Sequence, residues 1–403
     1  MKRILIAGLL LALGLGPAGA QQLVLPLDSV LTGALRASPL LRQSGEERRE
    51  QEALRRGSFS LLNPGLTVES PTGEFFTLGV QQLFDFPTVY TRQARVGRAQ
   101  VELADRSLAV ARAGVRRDVR LAYLALQVAE ARQQQLRSQD SLLRTLATAS
   151  ERLFAAGEVD YLQRVSTAAE SRQASNRVQQ AEADRRAAQR RLGLLLGRPT
   201  ADLATGTDLS RPANLPSQAP LALIDVADTA QLRGSPQWAL YTQNIEVSRQ
   251  NLRLARARNL PGLSLGYINQ GPRETPQIQR LQAGLTLPVF FFLNRSRTQA
   301  AEARLRAATA QREAAALEQN SQYQQALADA RKFGASLRYY QETGLPQAVT
   351  IIRTAQRLFQ AGEVSYYLFV QSVNQAFQIR TDYLDAVRGY QEALIQLNYL
   401  QGQ

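Results

Sequence analysis

The chain contains no cysteine and no histidine, and its single methionine is the initiator. Without cysteine it forms no disulfide, and it cannot carry a bacterial lipid anchor on an N-terminal thiol. Zinc sites built from thiolate and imidazole are excluded. Ser-His-Asp and Cys-His nucleophile systems lack a necessary member. Carboxylate pairs, tyrosines and Lys332 remain as acid–base groups, but no motif organises them. The sequence therefore assigns no catalytic residue, no metal ligand and no cofactor, and it does not read as an enzyme. Long hydrophobic runs are missing too. Beyond the N-terminus no stretch approaches eighteen apolar residues, so no membrane-spanning helix is expected.

The first twenty residues read as an export signal. Lys2 and Arg3 form a basic start, residues 4–15 are an apolar run, and Ala18-Gly19-Ala20 offers a small-residue cleavage site. The mature chain would begin at Gln21. Net charge is +14, almost all of it from arginine, since Lys332 is the one lysine after Lys2. The arginines are spread among Glu, Gln and Ala along helical patterns. They are not interleaved with aromatics as in a nucleic-acid stacking platform. Solvated helix faces are the better reading, and no nucleic-acid partner is expected.

What is present is a unit written twice. Leu-Phe-Ala-Ala-Gly-Glu-Val-Asp-Tyr-Leu at residues 153–162 recurs as Leu-Phe-Gln-Ala-Gly-Glu-Val-Ser-Tyr-Tyr-Leu at 358–368, an offset of 205. Gly79 matches Gly284 at the same offset. Ser38-Pro39 matches Ser235-Pro236, and Pro64-Gly65-Leu66 matches Pro261-Gly262-Leu263, both at 197. The eight extra residues fall in a loop around Gly271-Pro272. This divides the mature chain into a first repeat, 21–197, a Pro/Thr/Asp/Ser-rich connector, 198–220, and a second repeat, 221–403.

Each repeat reads as a helical stretch (28–56; 221–260), a β-hairpin (66–86; 262–289), a long helix (91–154; 296–359), a glycine turn (155–160; 360–365) and a return helix. The strands alternate. Phe76, Leu78, Val80, Phe84 and Phe86 share one face, with Thr77, Gly79, Gln81 and Asp85 on the other, although Gln82 and Leu83 break the pattern. Leu263, Leu265 and Tyr267, and Leu281, Ala283, Leu285 and Leu287, alternate likewise. Aromatics gather at the strand ends, including Phe290, Phe291 and Phe292. Such strands fit a membrane barrel wall and equally a soluble sheet with one wet face.

The long helices separate these readings. Each long stretch covers 64 residues, about 96 Å if unbroken, too long for a single-domain core. Val101, Leu108, Val115, Ala122, Ala129, Leu136 and Leu143 recur every seven residues, as do Ala300, Ala307, Ala314, Ser321, Ala328 and Ala335. Seven-residue seams impose left-handed supercoiling. These seams are small and mild, which suggests many-helix packing. The fold class is mainly α with a small β part: long coiled helices plus two β-hairpins. Four strands cannot close a membrane barrel, and open edges in lipid are forbidden. If the strands sit in a membrane, the chain is an oligomer.

The duplicated layout, the Leu-Phe-x-Ala-Gly-Glu-Val turns and the Pro-punctuated strand-to-helix junctions resemble the TolC-type outer-membrane factors, the outer-membrane efflux protein family, along essentially the whole mature length. The resemblance implies a homotrimer with a twelve-stranded β-barrel in outer-membrane lipid and an α-helical tunnel through the periplasm. It implies a periplasmic adaptor (membrane-fusion) protein and an inner-membrane pump as partners. Residues 80–90, Val-Gln-Gln-Leu-Phe-Asp-Phe-Pro-Thr-Val-Tyr, are similar to members paired with heavy-metal pumps of the cobalt-zinc-cadmium and copper-silver kind.

In that family the hairpin tips dock on the adaptor and narrow the pore. Carried over, the docking tips are Gly157, Glu158, Val159 and Asp160, and Gly362, Glu363, Val364 and Ser365. Some members place an Asp pair after the second tip; Ser365, Tyr366 and Tyr367 stand there instead. The pore constriction then falls to Glu363 with Arg357 and Tyr366. Carboxylate rings at Glu158, Asp160 and Glu363 would favour cations. Two readings stay open beside the metal-efflux duct: a type I protein-secretion or drug-efflux channel, and a secreted coiled-coil protein without a pore.

Overall fold

The structure, a computed structural model, describes residues 23–59, 61–70, 76–198, 203–206, 209, 229–270, 278–287 and 291–403. The export signal, most of the 198–220 connector, the Gly271-Pro272 loop and Phe290 lie outside the described residues. The chain divides into two compact units that cut across the sequence repeats. One holds residues up to 33 and 122–214; the other holds 34–121 and 215–403.

The first unit opens with a two-residue strand, β1 (Leu23–Val24), and helix α1 (Leu27–Ala37). It takes in the later part of α3 (Pro87–Ala155), the return helix α4 (Tyr161–Leu195) and strand β4 (Leu203–Ala204). β1 and β4 pair in parallel, a ladder too short to leave a period in the sequence. Side chains hold it. The Tyr123 hydroxyl donates to the Leu25 carbonyl at 3.1 Å and lies 3.3 Å from that of Thr205. Gln189 donates to the Leu203 carbonyl at 2.7 Å, and the Glu130 carboxylate accepts from the Thr205 backbone and hydroxyl. The α3–α4 hairpin buries many polar side chains, among them Gln133, Gln139, Asp140, Thr167 and Ser171. Asp140 accepts from the Ser175 hydroxyl at 2.6 Å.

The second unit holds α2 (Pro39–Arg56), β2 (Gly65–Glu69), β3 (Thr77–Phe84) and the start of α3. It continues with α5 (Pro236–Ala257), β5 (Gly262–Gln270), β6 (Ile278–Thr286), α6 (Phe291–Tyr339), α7 (Leu345–Gln360) and α8 (Tyr366–Gln401). The four strands form one antiparallel sheet in the order β2-β3-β5-β6. Its helical core joins Tyr323, Leu327 and Ala330 of α6 to Ala393, Leu397 and Leu400 of α8.

Ser38-Pro39 and Ser235-Pro236, the matched landmarks, start helices for one reason. Each serine hydroxyl accepts an N–H three residues on, from Leu41 at 3.4 Å and from Trp238 at 3.2 Å. Each proline fills the first helical position, where no N–H is needed. That cap also corrects the first helical stretch. Residues 28–56 are two helices, α1 and α2, because Pro39 cannot bond back into the preceding turn. In the second repeat residues 221–228 lie outside the described residues; Thr229–Gly234 is a short 3₁₀ turn, and a helix runs from Pro236 to Ala257.

One further expectation fails. The second long helix is not unbroken: α6 stops at Tyr339, Tyr340–Gly344 form a π turn, and α7 follows. Pro346, inside the stretch expected to be continuous, is the cause. It offers no N–H to the carbonyl four residues back, and its ring crowds that carbonyl. The seam of Ala300, Ala307, Ala314, Ser321, Ala328 and Ala335 is exposed within the single chain. The core of α6 is instead Tyr323, Ala326, Leu327, Ala330 and Leu337, because bulkier side chains remove more apolar surface from water. In the α3 seam Val101, Val115, Ala122 and Leu143 are buried.

Candidate functional site

The two glycine turns are built alike. At the end of α3, Gly157 adopts φ +75°, donates its N–H to the Phe154 carbonyl at 3.0 Å, and the next N–H, of Glu158, reaches the Leu153 carbonyl at 2.9 Å. At the end of α7, Gly362 adopts φ +71°, donates to Phe359 at 3.1 Å, and Glu363 donates to Leu358 at 2.9 Å. These are Schellman caps, which satisfy the last helical carbonyls and need a left-handed residue. No other heavy atom comes within 4 Å of a β-carbon built on either glycine. The backbone angle, not space, selects glycine.

Three residues after its glycine, each turn hands over to the next helix. The Asp160 carboxylate accepts the Gln163 N–H at 2.6 Å, and the Ser365 hydroxyl accepts the Leu368 N–H at 3.3 Å. Asp160 and Ser365 therefore have a local task as N-caps. It explains why a short polar side chain stands at both positions although its charge differs.

The flanks differ. In the first unit Arg164 lies over the rings of Phe154 and Tyr161, 4.5 and 4.9 Å from their centroids, and pairs with Glu151 at 3.5 Å. In the second unit Phe359 stacks on buried Phe369 with centroids 4.7 Å apart. Glu158 and Glu363 are exposed, and Val159 and Val364 are half-buried. Just beyond, Tyr161, Leu162, Tyr367 and Leu368 present exposed apolar surface. Arg357 is exposed and Tyr366 half-buried. Among the described residues no ion pair joins Glu363 to Arg357; the Arg357 carbonyl instead accepts the Ala361 N–H at 3.0 Å.

The sheet is the second feature. Directly paired residues point to one face. Leu66, Val80, Tyr267 and Leu281 form one row across all four strands, and Gly65, Gln81, Gly266 and Gln282 form a row on the opposite face. The strand alternation read from sequence therefore gathers on one largely apolar face. Gln82, which broke the pattern, sits on that face beside Leu265 and Ala283. Leu66, Val80, Leu265, Leu281 and Leu285 are all exposed. The reverse face is mostly polar and small, apart from Leu83 and Ile268: Gly79 lies against Thr67 and Gly284 against Ser264, where a β-carbon would clash with either hydroxyl. β2 and β6 each lack a partner on one side among the described strands.

Among the described residues no helix is long and apolar enough to cross a membrane. Also among them, no three His, Cys, Asp or Glu side chains gather as metal ligands.

Residues 231–403 match the family model described as outer membrane efflux protein. The fold is similar to that of CusC, studied for folding and transmembrane channel formation. Identity is 18%, with 96% of this chain and 94% of that chain covered and a TM-score of 0.79. It is similar to the Campylobacter jejuni outer membrane channel CmeC at 14% identity, covering 93% and 85%, with a TM-score of 0.75. The outer membrane protein VceC from Vibrio cholerae matches at 15% identity, covering 93% and 96%, with a TM-score of 0.77. No curated relative matches the chain significantly.

Proposed function

We propose that this chain, whose residues 231–403 belong to the outer membrane efflux protein family, is the outer-membrane channel subunit of a tripartite efflux system. It is a passive duct with a periplasmic helical extension, and an inner-membrane pump does the work of transport. The observation that carries this is the sheet. Its apolar face is exposed, its reverse face is mostly polar, and both its edges lack a partner among the described strands. A sheet with open edges is tolerable in lipid only when further strands close it. Three copies would give twelve strands, an allowed barrel size.

The partners follow from that role: two further copies, a periplasmic adaptor, an inner-membrane pump and outer-membrane lipid. Adaptor docking falls to Gly157, Glu158, Val159 and Asp160 and to Gly362, Glu363, Val364 and Ser365. The exposed apolar residues beside both turns support it. The constriction falls to Glu363, Arg357 and Tyr366. With Arg357 unpaired to it in the chain, Glu363 is free to contribute charge to a ring. The chain performs no catalysis in this reading. Heavy-metal cations are the finer proposal for the cargo, resting on the likeness of residues 80–90.

Outer-membrane extracts in detergent should yield heat-labile trimers that conduct in planar bilayers. A monodisperse protein that needs no detergent and conducts nothing would favour a secreted coiled-coil protein. Glu363→Ala should raise the closed-state current and weaken cation preference; an unchanged channel would remove Glu363 from the constriction. Expression in a host stripped of its own channel should restore metal tolerance if the cargo is metal, and drug tolerance alone would move the cargo to drugs.

A further inference from the structure

Four helices meet the sheet at one of its ends. α2 leads into β2, α3 leaves β3, α5 leads into β5 and α6 leaves β6. Pairing of Phe84 with Leu263 and of Gly262 with Thr286 sets those strand ends side by side. The helix ends touch one another too. Val89 and Val96 of α3 share a buried cluster with Leu254 and Ala257 of α5. Asn259, just after α5, donates to the Thr298 hydroxyl of α6 at 3.3 Å. A β-carbon on Gly97 of α3 would lie 3.3 Å from Arg55 Cγ of α2.

This junction is a basic collar. Arg56, Arg95, Arg98, Arg258, Arg295 and Arg297 are all exposed, and no carboxylate among the described residues pairs with any of them. Neighbouring carboxylates are already taken: Glu52 by Arg48, Glu102 by Arg106 and Glu302 by Arg256. No acidic residue stands in the first turn of α3 or of α6. Half-buried Asp85, just after β3, offsets little of this charge. The collar borders apolar surface. Pro87 and Thr91 of α3 line an open groove of about 530 Å³ with Phe84, Leu263 and Leu265 of the sheet's apolar face. Arg95 and Arg98 follow Thr91 at four and seven residues, on the same face of α3. At the start of α6, Phe292 and Leu293 are exposed, and Arg295 and Arg297 follow them at three and four residues, again the spacing of one helix face. On both helices apolar surface comes next to the sheet and arginine one turn further out.

We propose that this collar seats anionic phospholipid headgroups of the leaflet on the helix side of the sheet, with their acyl chains along the groove and the apolar face. The proposal rests on the channel reading, which puts that face in lipid. The guanidinium fork takes two phosphate oxygens at once, and the arginine stem covers apolar surface while its head stays in the polar layer. Each arginine beside an anionic membrane surface contributes about fivefold in affinity. A zwitterionic headgroup carries no net charge to answer the unpaired arginines, so the collar selects by charge.

The full chain is reconstituted into vesicles of equal parts phosphatidylglycerol and phosphatidylethanolamine, floated, extracted in mild detergent, and the phospholipid it retains is counted by native mass spectrometry. Wild type should retain phosphatidylglycerol over phosphatidylethanolamine by at least about fivefold. The triple variant Arg95→Gln, Arg295→Gln, Arg297→Gln should fall to within about twofold of parity. A control that loses the same charge from exposed positions on α4, Arg172→Gln, Arg177→Gln and Arg190→Gln, should keep the wild-type preference. Salt at about 1 M should weaken that preference by screening. Wild type that retains both lipids equally overturns the collar, whether or not the variant folds. So does a control that loses the preference as fully as the collar variant, which would make net charge the cause. A preference abolished by inorganic phosphate alone, at matched ionic strength, would make the site one for free anions and also overturns the lipid seat. A chain that floats with neither lipid overturns the channel reading and the collar with it; one that floats but shows no preference overturns the collar alone.

Discussion

The ring of Phe333 occupies the space that a β-carbon on Gly389 would need. Its carbons lie 2.6–2.7 Å from that position. Phe333 belongs to α6 and Gly389 to α8, so the two helices approach closely because one of them has no side chain there. Gly389→Ala should destabilise the second unit by about 1–3 kcal/mol through overpacking, seen as a lower Tm. Adding Phe333→Leu should recover part of the loss, since contacting residues couple. A Gly389→Ala protein with wild-type Tm would mean that the ring moves aside freely.

The two glycine turns predict matched effects. Gly157→Ala and Gly362→Ala should each cost about 1–2 kcal/mol, because a β-carbon is disfavoured in the left-handed region. Neither creates a clash, so backbone strain is the whole effect. Asp160→Ala and Ser365→Ala should each cost about 1 kcal/mol as lost N-caps. Thermal melts of the four variants check this. Near-equal losses within each pair are expected, even though Asp160 is charged and Ser365 is not.

The sheet faces predict an asymmetry. Val80→Arg puts a charge on the apolar face and should cost about 2–4 kcal/mol if the position sits near the middle of the bilayer. Folded trimer should disappear from the outer-membrane fraction. Gln81→Arg, one residue along and on the polar face, should assemble normally and alter ion preference. Equal tolerance of both would place the sheet in water.

Tyr390 predicts a pH dependence. It is 1% exposed, its hydroxyl has no hydrogen-bond partner, and burial raises its pKa. The folded protein keeps the phenol neutral while the unfolded chain ionises at about 10. The stabilisation is therefore fully present below about pH 10 and is lost as pH rises toward the folded value. Tyr390→Phe should weaken the alkaline loss of Tm without lowering stability at neutral pH. Tyr340, raised by burial and then by Asp382 and Tyr339, should sustain part of the loss in that variant. An identical alkaline limb would remove Tyr390 as a contributor.

Much of this was legible in the sequence wherever a local rule leaves a periodic mark. Ser38-Pro39 and Ser235-Pro236 announce helix starts because the cap needs a hydroxyl and the next position needs no N–H. Gly157 and Gly362 announce helix ends because a left-handed residue is required. Val80, Tyr267 and Leu281 announce an apolar sheet face because side chains alternate. The signal for the π turn was also present, as Gly344-Leu345-Pro346, inside the 296–359 stretch whose length alone implied a continuous rod. The seam lies on the side of α6 that is exposed within the single chain, because a repeat of small residues does not say which neighbour they face.

The sequence by itself determined the duplication, the caps, the turns and the absence of cysteine and histidine chemistry. Each follows from residue type and spacing over a few positions. Only the tertiary structure decided which stripe of α6 is buried, how β3 pairs with β5 to join two distant hairpins into one sheet, and where the second rod widens. It also decided that residues 23–24 meet 203–204. Those outcomes depend on which surfaces meet between segments far apart in the chain, and that competition for contact leaves no local mark.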